Sequence, residues 1–198
     1  MIKLNSTLVV SFMGVDGSGK STLIKQLNKK LKKNYKKIKN LHLRPYFFLT
    51  DTSTVNTNPH AKQTRSKLAS LIKIFIWLFM YRIFFLINLN KKNQLIIFDR
   101  YAHDLLIDKI RYRFLLPKKI TQFILNLFPK PHLWIFLKAP ISLIEKRKKE
   151  LSNKELKRQM REYINFSKKQ KNMIIIDTSK TIEKNILLIV RKIKFTVN

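Results

Sequence analysis

All three glycines of this 198-residue chain, Gly14, Gly17 and Gly19, lie within six positions in the stretch FMGVDGSGKST (12–22). Within it GVDGSGKS (14–21) fits G-x-x-x-x-G-K-[ST], a spacing that turns successive backbone N–H groups inward on phosphate oxygens. Glycine serves where the backbone takes unusual dihedrals and where an anion must come close. Gly14, Val15, Asp16, Gly17, Ser18, Gly19, Lys20, Ser21 and Thr22 are therefore the expected cradle for a nucleoside triphosphate. Lys20 is expected on the β and γ phosphates and the Ser21 hydroxyl on Mg²⁺, with the following helix aiming its positive N-terminus at the same anion.

A phosphate cradle names a ligand and not a reaction. A second group of residues narrows the field: LIIFDRY (95–101) is an apolar run that ends in an acid and an arginine. Asp99, at a strand end beside the cradle, could hold a Mg²⁺-bound water or accept a proton, and Arg100 could grip a second phosphate. Read alone, Asp-Arg at this place has an ordinary surface pair as its competing reading. The chain has no N-K-x-D base-reading motif and no long second domain of the kind a motor carries.

These residues need a frame, and the apolar patterning supplies one. TLVVSFM (7–13), KKIKNLHL (36–43), QLIIF (94–98), HLWIFLK (132–138) and NMIII (172–176) read as strands. Helical spacing predicts helices over 20–33, 101–112, 117–128, from Pro140, over 153–170 and over 180–193, with a Thr- and Asn-rich loop at 50–60. Alternating strands and helices imply an α/β domain spanning 1–198, a five-stranded parallel sheet with helices on both faces. ASLIKIFIWLFMYRIFFLINL (69–89) is long enough to span a bilayer. Its apolar residues contribute about −0.3 to −0.6 kcal/mol each, while Lys73 and Arg82 cost up to roughly +2.5 to +3.5 apiece, so hydropathy alone is balanced. Ser70, Lys73, Trp77, Tyr81 and Asn88 share one face, which favours a buried helix whose polar stripe faces a cleft, with membrane-surface contact left open.

The net charge of +31 points toward anionic partners, but its 42 basic residues are 32 Lys and only 10 Arg, among 25 Ile and 15 Asn. That composition follows A/T-rich codons as well as any function, so no nucleic-acid partner is expected and the few arginines and acids are the informative charges. The absence of cysteine excludes disulfides and thiolate metal sites, and the four histidines are not spaced as zinc ligands. MIKLNSTLVVSF runs straight into the glycine motif, so no signal peptide is expected and a cytoplasmic location is.

Together GVDGSGKST, the DRY at 99–101 and PHLWIFLKAPISLIEKRKKE (131–150) resemble the thymidylate kinase branch of the P-loop nucleoside monophosphate kinases, over nearly the whole chain in element order. The resemblance implies a P-loop NTPase fold with a basic LID at about 145–160, ATP and Mg²⁺ as cofactors, and transfer of the γ-phosphoryl group to a nucleoside monophosphate, dTMP first. It implies that Asp16 contacts the acceptor's sugar, that Asp99 lies near Mg²⁺, and that Arg100 and Arg44 (in HLRP, 42–45) bind the acceptor phosphate, with Tyr101 and Asp104 beside the acceptor. Position 17 is Gly, where some members carry an arginine; members lacking it use LID arginines, which makes Arg147, Arg158 and Arg161 candidates for the charge spread over a transferring phosphoryl group. A solvated basic hairpin is the competing reading of that segment. A homodimer is what the family suggests.

The resemblance breaks after the DRY motif. The family continues into Ser-Ser-x-Ala-Tyr-Gln, whereas this chain reads DRYAHDLLIDKIRYR (99–113). Asp104 replaces the first serine, Asp108-Lys109 stand at Tyr-Gln, and Arg111 and Arg113 lie just beyond. Either an Asp/Arg network ties this segment down or the acceptor pocket is remodelled. Two alternatives thus stay beside the nucleotide acceptor: a non-nucleotide or membrane-linked acceptor, and a nucleotide-dependent protein that binds lipid or nucleic acid.

Overall fold

Every residue of the strand β1 (Thr7–Met13) is buried, as its largely apolar run demands of a strand covered on both sides. The computed structural model describes residues 6–45, 66–147 and 151–197. In chain order the elements are β1, α1 (Lys20–Leu31), β2 (Lys37–His42), α2 (Lys67–Leu89), β3 (Gln94–Asp99), α3 (Asp104–Ile107), α4 (Lys118–Asn126), β4 (Leu133–Lys138), α5 (Ile141–Arg147), α6 (Asn153–Lys168), β5 (Met173–Asp177) and α7 (Ile182–Val197). The strands form one parallel sheet in the order β2-β3-β1-β4-β5, with β1 at the centre. The expected α/β architecture and its five strands are observed. The predicted loop at 50–60 and the middle of the predicted LID, 148–150, lie outside the described residues.

Period-two alternation along the strands builds two cores. Val9, Ile96, Phe98, Trp134 and Phe136 point to the side covered by α2, α3, α4 and α6. Their neighbours Leu8, Val10, Phe12, Leu95, Ile97 and Ile135 point to the side covered by α1 and α7, through Leu23, Leu27, Ile186, Ile189 and Ile193. The edge strands β2 and β5 are largely exposed or half-buried, which is where the sequence places Lys37, Lys39 and Asp177.

Two sequence expectations are corrected. The helix predicted over 101–112 is a single turn, α3, because Asp108 turns the chain: its carboxylate accepts the Arg111 N–H at 3.2 Å, and Arg113 is left-handed at φ 52°. The long apolar helix α2 is not buried: eight of its 23 residues are, including Ser70, Trp77, Tyr81 and Asn88. Leu68, Ile72, Phe75, Ile76, Phe79, Leu86 and Ile87 are exposed. The polar stripe therefore faces the protein together with Ile74, Leu78, Phe84 and Phe85, and an apolar side is left exposed. The stripe faces inward because each member has a partner there, such as the Leu43 carbonyl for the Tyr81 hydroxyl and the Tyr112 carbonyl, 2.6 Å away, for Lys73. Among the described residues α2 is the one helix long and apolar enough to cross a membrane by length and composition.

Candidate active site

The chain leaves β1 through Gly14, at φ 147°, where a Cβ would stand 2.9 Å from both the Leu137 carbonyl and the Ser18 hydroxyl. No other residue fits that corner. Gly19 caps α1 in the left-handed region, at φ 94°, so the loop 14–19 wraps back over the helix N-terminus. Lys20 is buried, and its ammonium donates to the Gly14 and Val15 carbonyls at 2.8 and 2.9 Å, which holds it across the loop. Burial lowers the Lys20 pKa to about 8, the Arg100 charge acts in the same direction, and Asp99, Asp16 and Asp104 oppose them.

β3 pairs with β1 so that Phe12 lies opposite Asp99, and the Asp99-Arg100 pair therefore leaves the sheet level with the glycine loop. A cavity of about 450 Å³ results, lined by Asp16, Gly17, Gly19, Lys20, Ser21, Thr22, His42, Asp99, Arg100, Arg111 and Arg147. Asp99 Oδ1 is buried with no hydrogen-bond partner, and it shares the cavity with the exposed Ser21 hydroxyl. A hard cation that takes one carboxylate, one hydroxyl and phosphate oxygens suits that donor set. His42, on β2 directly across from Asp99, lines the same cavity and was not among the expected residues.

The side of the cavity facing Lys20 is an ion-pair network. Arg100 sits in the left-handed region at φ 74°, its N–H donating to the Phe12 carbonyl at 2.9 Å. Such a backbone costs a non-glycine residue about 1–3 kcal/mol, and it is held by what the side chain reaches. The guanidinium is buried, donating through Nη1 to Asp104 Oδ2 at 2.8 Å and through Nη2 to Asp16 Oδ1. Arg111 donates through Nη1 to the other Asp16 oxygen, and the Lys20 ammonium lies 3.9 Å from Asp16. Burial pushes the Asp16 carboxyl up, but Arg100, Lys20 and Arg111 more than offset it and hold it well below the usual range. Asp104 is fully buried, and its burial raises its pKa against the pull of Arg100.

The other expected site residues are dispersed. Arg147 reaches the cradle, its Nη1 3.4 Å from the Gly17 carbonyl. Arg44 lies over the Trp77 ring, 5.8 Å from its centroid. Tyr101 is buried in an aromatic cluster with Tyr81, Phe98, His103 and Trp134, its hydroxyl donating to the Pro129 carbonyl at 2.6 Å. Arg158 is paired with Glu155 at 2.6 Å and donates to the Ile107 carbonyl, so it does not line the cavity. Arg161 is exposed on α6. A second cavity, of about 210 Å³, adjoins the first beyond Gly19 and Arg147 and is lined also by Thr178, Lys180, Ile182 and Asn185.

The thymidylate kinase family model matches residues 12–189. The chain belongs to the thymidylate kinase family. Its members are nucleoside monophosphate kinases, and the chain is an enzyme of that class. Among solved structures it resembles the thymidylate kinase of Candida albicans at 20% identity and a TM-score of 0.67, covering 96% of this chain and 92% of that one. It also resembles the thymidylate kinase of Ehrlichia chaffeensis, at 17% identity and a TM-score of 0.62, over 94% and 98% of the two chains. A deoxyadenosine kinase from M. mycoides, solved with dATP, matches at 19% identity and a TM-score of 0.58 over 94% and 99%. At these identities the likeness is one of fold. No curated protein matches the chain by sequence.

Proposed function

We propose that this enzyme transfers the γ-phosphoryl group of ATP, with Mg²⁺, to a nucleoside monophosphate, dTMP being the first acceptor to try. One observation carries the reading: the glycine loop with Lys20, and Arg100 held from behind by Asp104, line the same cavity of about 450 Å³, two cationic groups side by side. In-line phosphoryl transfer asks mainly for positioning and for cations around the equatorial oxygens. The loop N–H groups and Lys20 hold the donor phosphates, Arg147 reaches over them from the end of α5, and Arg100 fixes the acceptor phosphate opposite. Ser21 and Asp99 would hold Mg²⁺, which would neutralise charge on the β and γ phosphates. The cavity beside Thr178 and Asn185 is the place for the donor's base. A basic LID that closes over the phosphates would keep water from intercepting the phosphoryl group. The same reading gives the enzyme a cytoplasmic location.

The test is ATP consumption over dTMP, dUMP, UMP, CMP, AMP and GMP, with buffer alone as the hydrolysis control. Turnover that rises with at least one monophosphate is expected, dTMP foremost; ATP loss equal to buffer in all six would overturn the reading. A non-nucleotide, membrane-linked acceptor is the second reading. It is favoured by the exposed apolar residues of α2. Silence across all six monophosphates together with intact ATP binding would move the assignment there.

A further inference from the structure

The segment DKIRYRF (108–114), which departs from the family's sequence, is built to aim one side chain at the glycine loop. Besides the Asp108 cap on Arg111, the Phe114 N–H donates to the Lys109 carbonyl at 2.9 Å. From α2, Lys73 donates to the Tyr112 carbonyl at 2.6 Å, Ser70 Oγ accepts the Leu115 N–H at 2.8 Å, and Trp77 packs edge-on against Tyr112. So anchored, Arg111 lies in the cavity, partly exposed, and takes the Asp16 oxygen that Arg100 does not. Asp104 serves Arg100 from behind, so on the cavity side the two guanidiniums share the Asp16 carboxylate, while the Lys20 ammonium, 3.9 Å from Asp16, is also held by the charge of Asp99. Two planar forks converging on one carboxylate are the geometry that a phosphomonoester dianion satisfies better, with three terminal oxygens and a second charge.

We propose that Arg111 is an acceptor-binding residue which, with Arg100, clamps the terminal phosphate of a phosphomonoester, and that Asp16 holds the two guanidiniums at the spacing this anion needs. This rests on the phosphotransferase reading above and adds the second side chain that grips the acceptor's phosphate.

The experiment titrates the six monophosphates and their parent nucleosides into wild type, Arg111→Gln and Arg111→Lys, each saturated with Mg²⁺ and AMP-PNP, by isothermal calorimetry. Loss of a charge-assisted pair should weaken monophosphate binding by about ten- to a hundredfold in Arg111→Gln. Arg111→Lys should recover part of that loss, and nucleoside binding should not change. AMP-PNP affinity within about twofold of wild type would show that the variant keeps its fold, since Asp16 retains Arg100. Monophosphate binding undiminished in Arg111→Gln overturns the proposal, and so does an equal loss of AMP-PNP affinity, which would make Arg111 a prop for the glycine loop. If wild type binds none of the six, the nucleotide reading fails and inorganic phosphate is titrated into the same complexes. Weaker phosphate binding in Arg111→Gln then upholds the clamp, and equal binding overturns it.

Discussion

Lys20 shows how a single side chain can be positioned at a cost to the fold. It is fixed across its own loop by two carbonyls at 2.8 and 2.9 Å, and burial followed by the Arg100 charge brings its pKa down to about 8. A group whose folded pKa lies below its unfolded value of 10.5 binds fewer protons folded than unfolded, so its contribution to stability rises as pH climbs from about 8 toward 10.5. Lys20→Met should therefore be more stable than wild type at pH 7 in urea titrations, with the gap closing toward pH 10. Catalysis should run the other way. Lys20→Ala should lose about 10²–10³-fold in kcat, the scale of one preorganised charge donor. Wild-type kcat/KM for ATP should fall above about pH 8 as the ammonium of the free enzyme deprotonates, a limb that Lys20→Arg moves upward; initial rates at low ATP between mildly acidic and alkaline pH decide it.

At the scale of elements, α2 reverses what its composition suggests. Its polar residues share the structural work, because Ser70 and Lys73 anchor residues 112–115 and Tyr81 reaches Leu43, while seven of its large apolar residues face outward. Trp77, 3% exposed, and Phe79, 66% exposed, are two positions apart on the same helix. Trp77→Ala should cost about 3–5 kcal/mol in chemical denaturation. Phe79→Lys should stay within about 0.5 kcal/mol of wild type, although it puts a charge in the most apolar stretch of the chain. Equal destabilisation by both would mean that α2 is buried all round. The helix predicted over 101–112 failed for a local reason that apolar spacing does not report. The Asp108 side chain satisfies the Arg111 N–H, offering the backbone a turn in place of a further helical turn.

For the whole molecule, the parallel order β2-β3-β1-β4-β5 puts the C-terminal ends of β1, β2 and β3 on one rim, where Asp16, His42 and Asp99 line one cavity. A ligand bound at that rim touches residues from α1, β2, β3 and the 108–116 segment, and so should stabilise the domain as a unit. At a hundred times its dissociation constant, Mg²⁺–AMP-PNP contributes about 2.7 kcal/mol. For a chain of this size that is a rise of roughly 5–10 °C in Tm, read by calorimetry on the full chain and absent in Lys20→Ala if the cradle is the site.

The sequence by itself determined the cradle, the five strands and the place of Asp99-Arg100. Each is a short-range pattern: a glycine spacing, an apolar run, and a polar pair where the run ends. It also marked Asp104 and Asp108 as departures from the family without saying what they hold. Only the tertiary structure decided that Arg100 and Arg111 converge on Asp16, 84 and 95 residues away in sequence, and that Tyr101 turns into the core. It also decided which side of α2 meets the protein. Those outcomes depend on parallel crossovers that bring distant strand ends to one rim, and on which buried polar groups find partners there, and neither is encoded in the spacing of neighbouring residues.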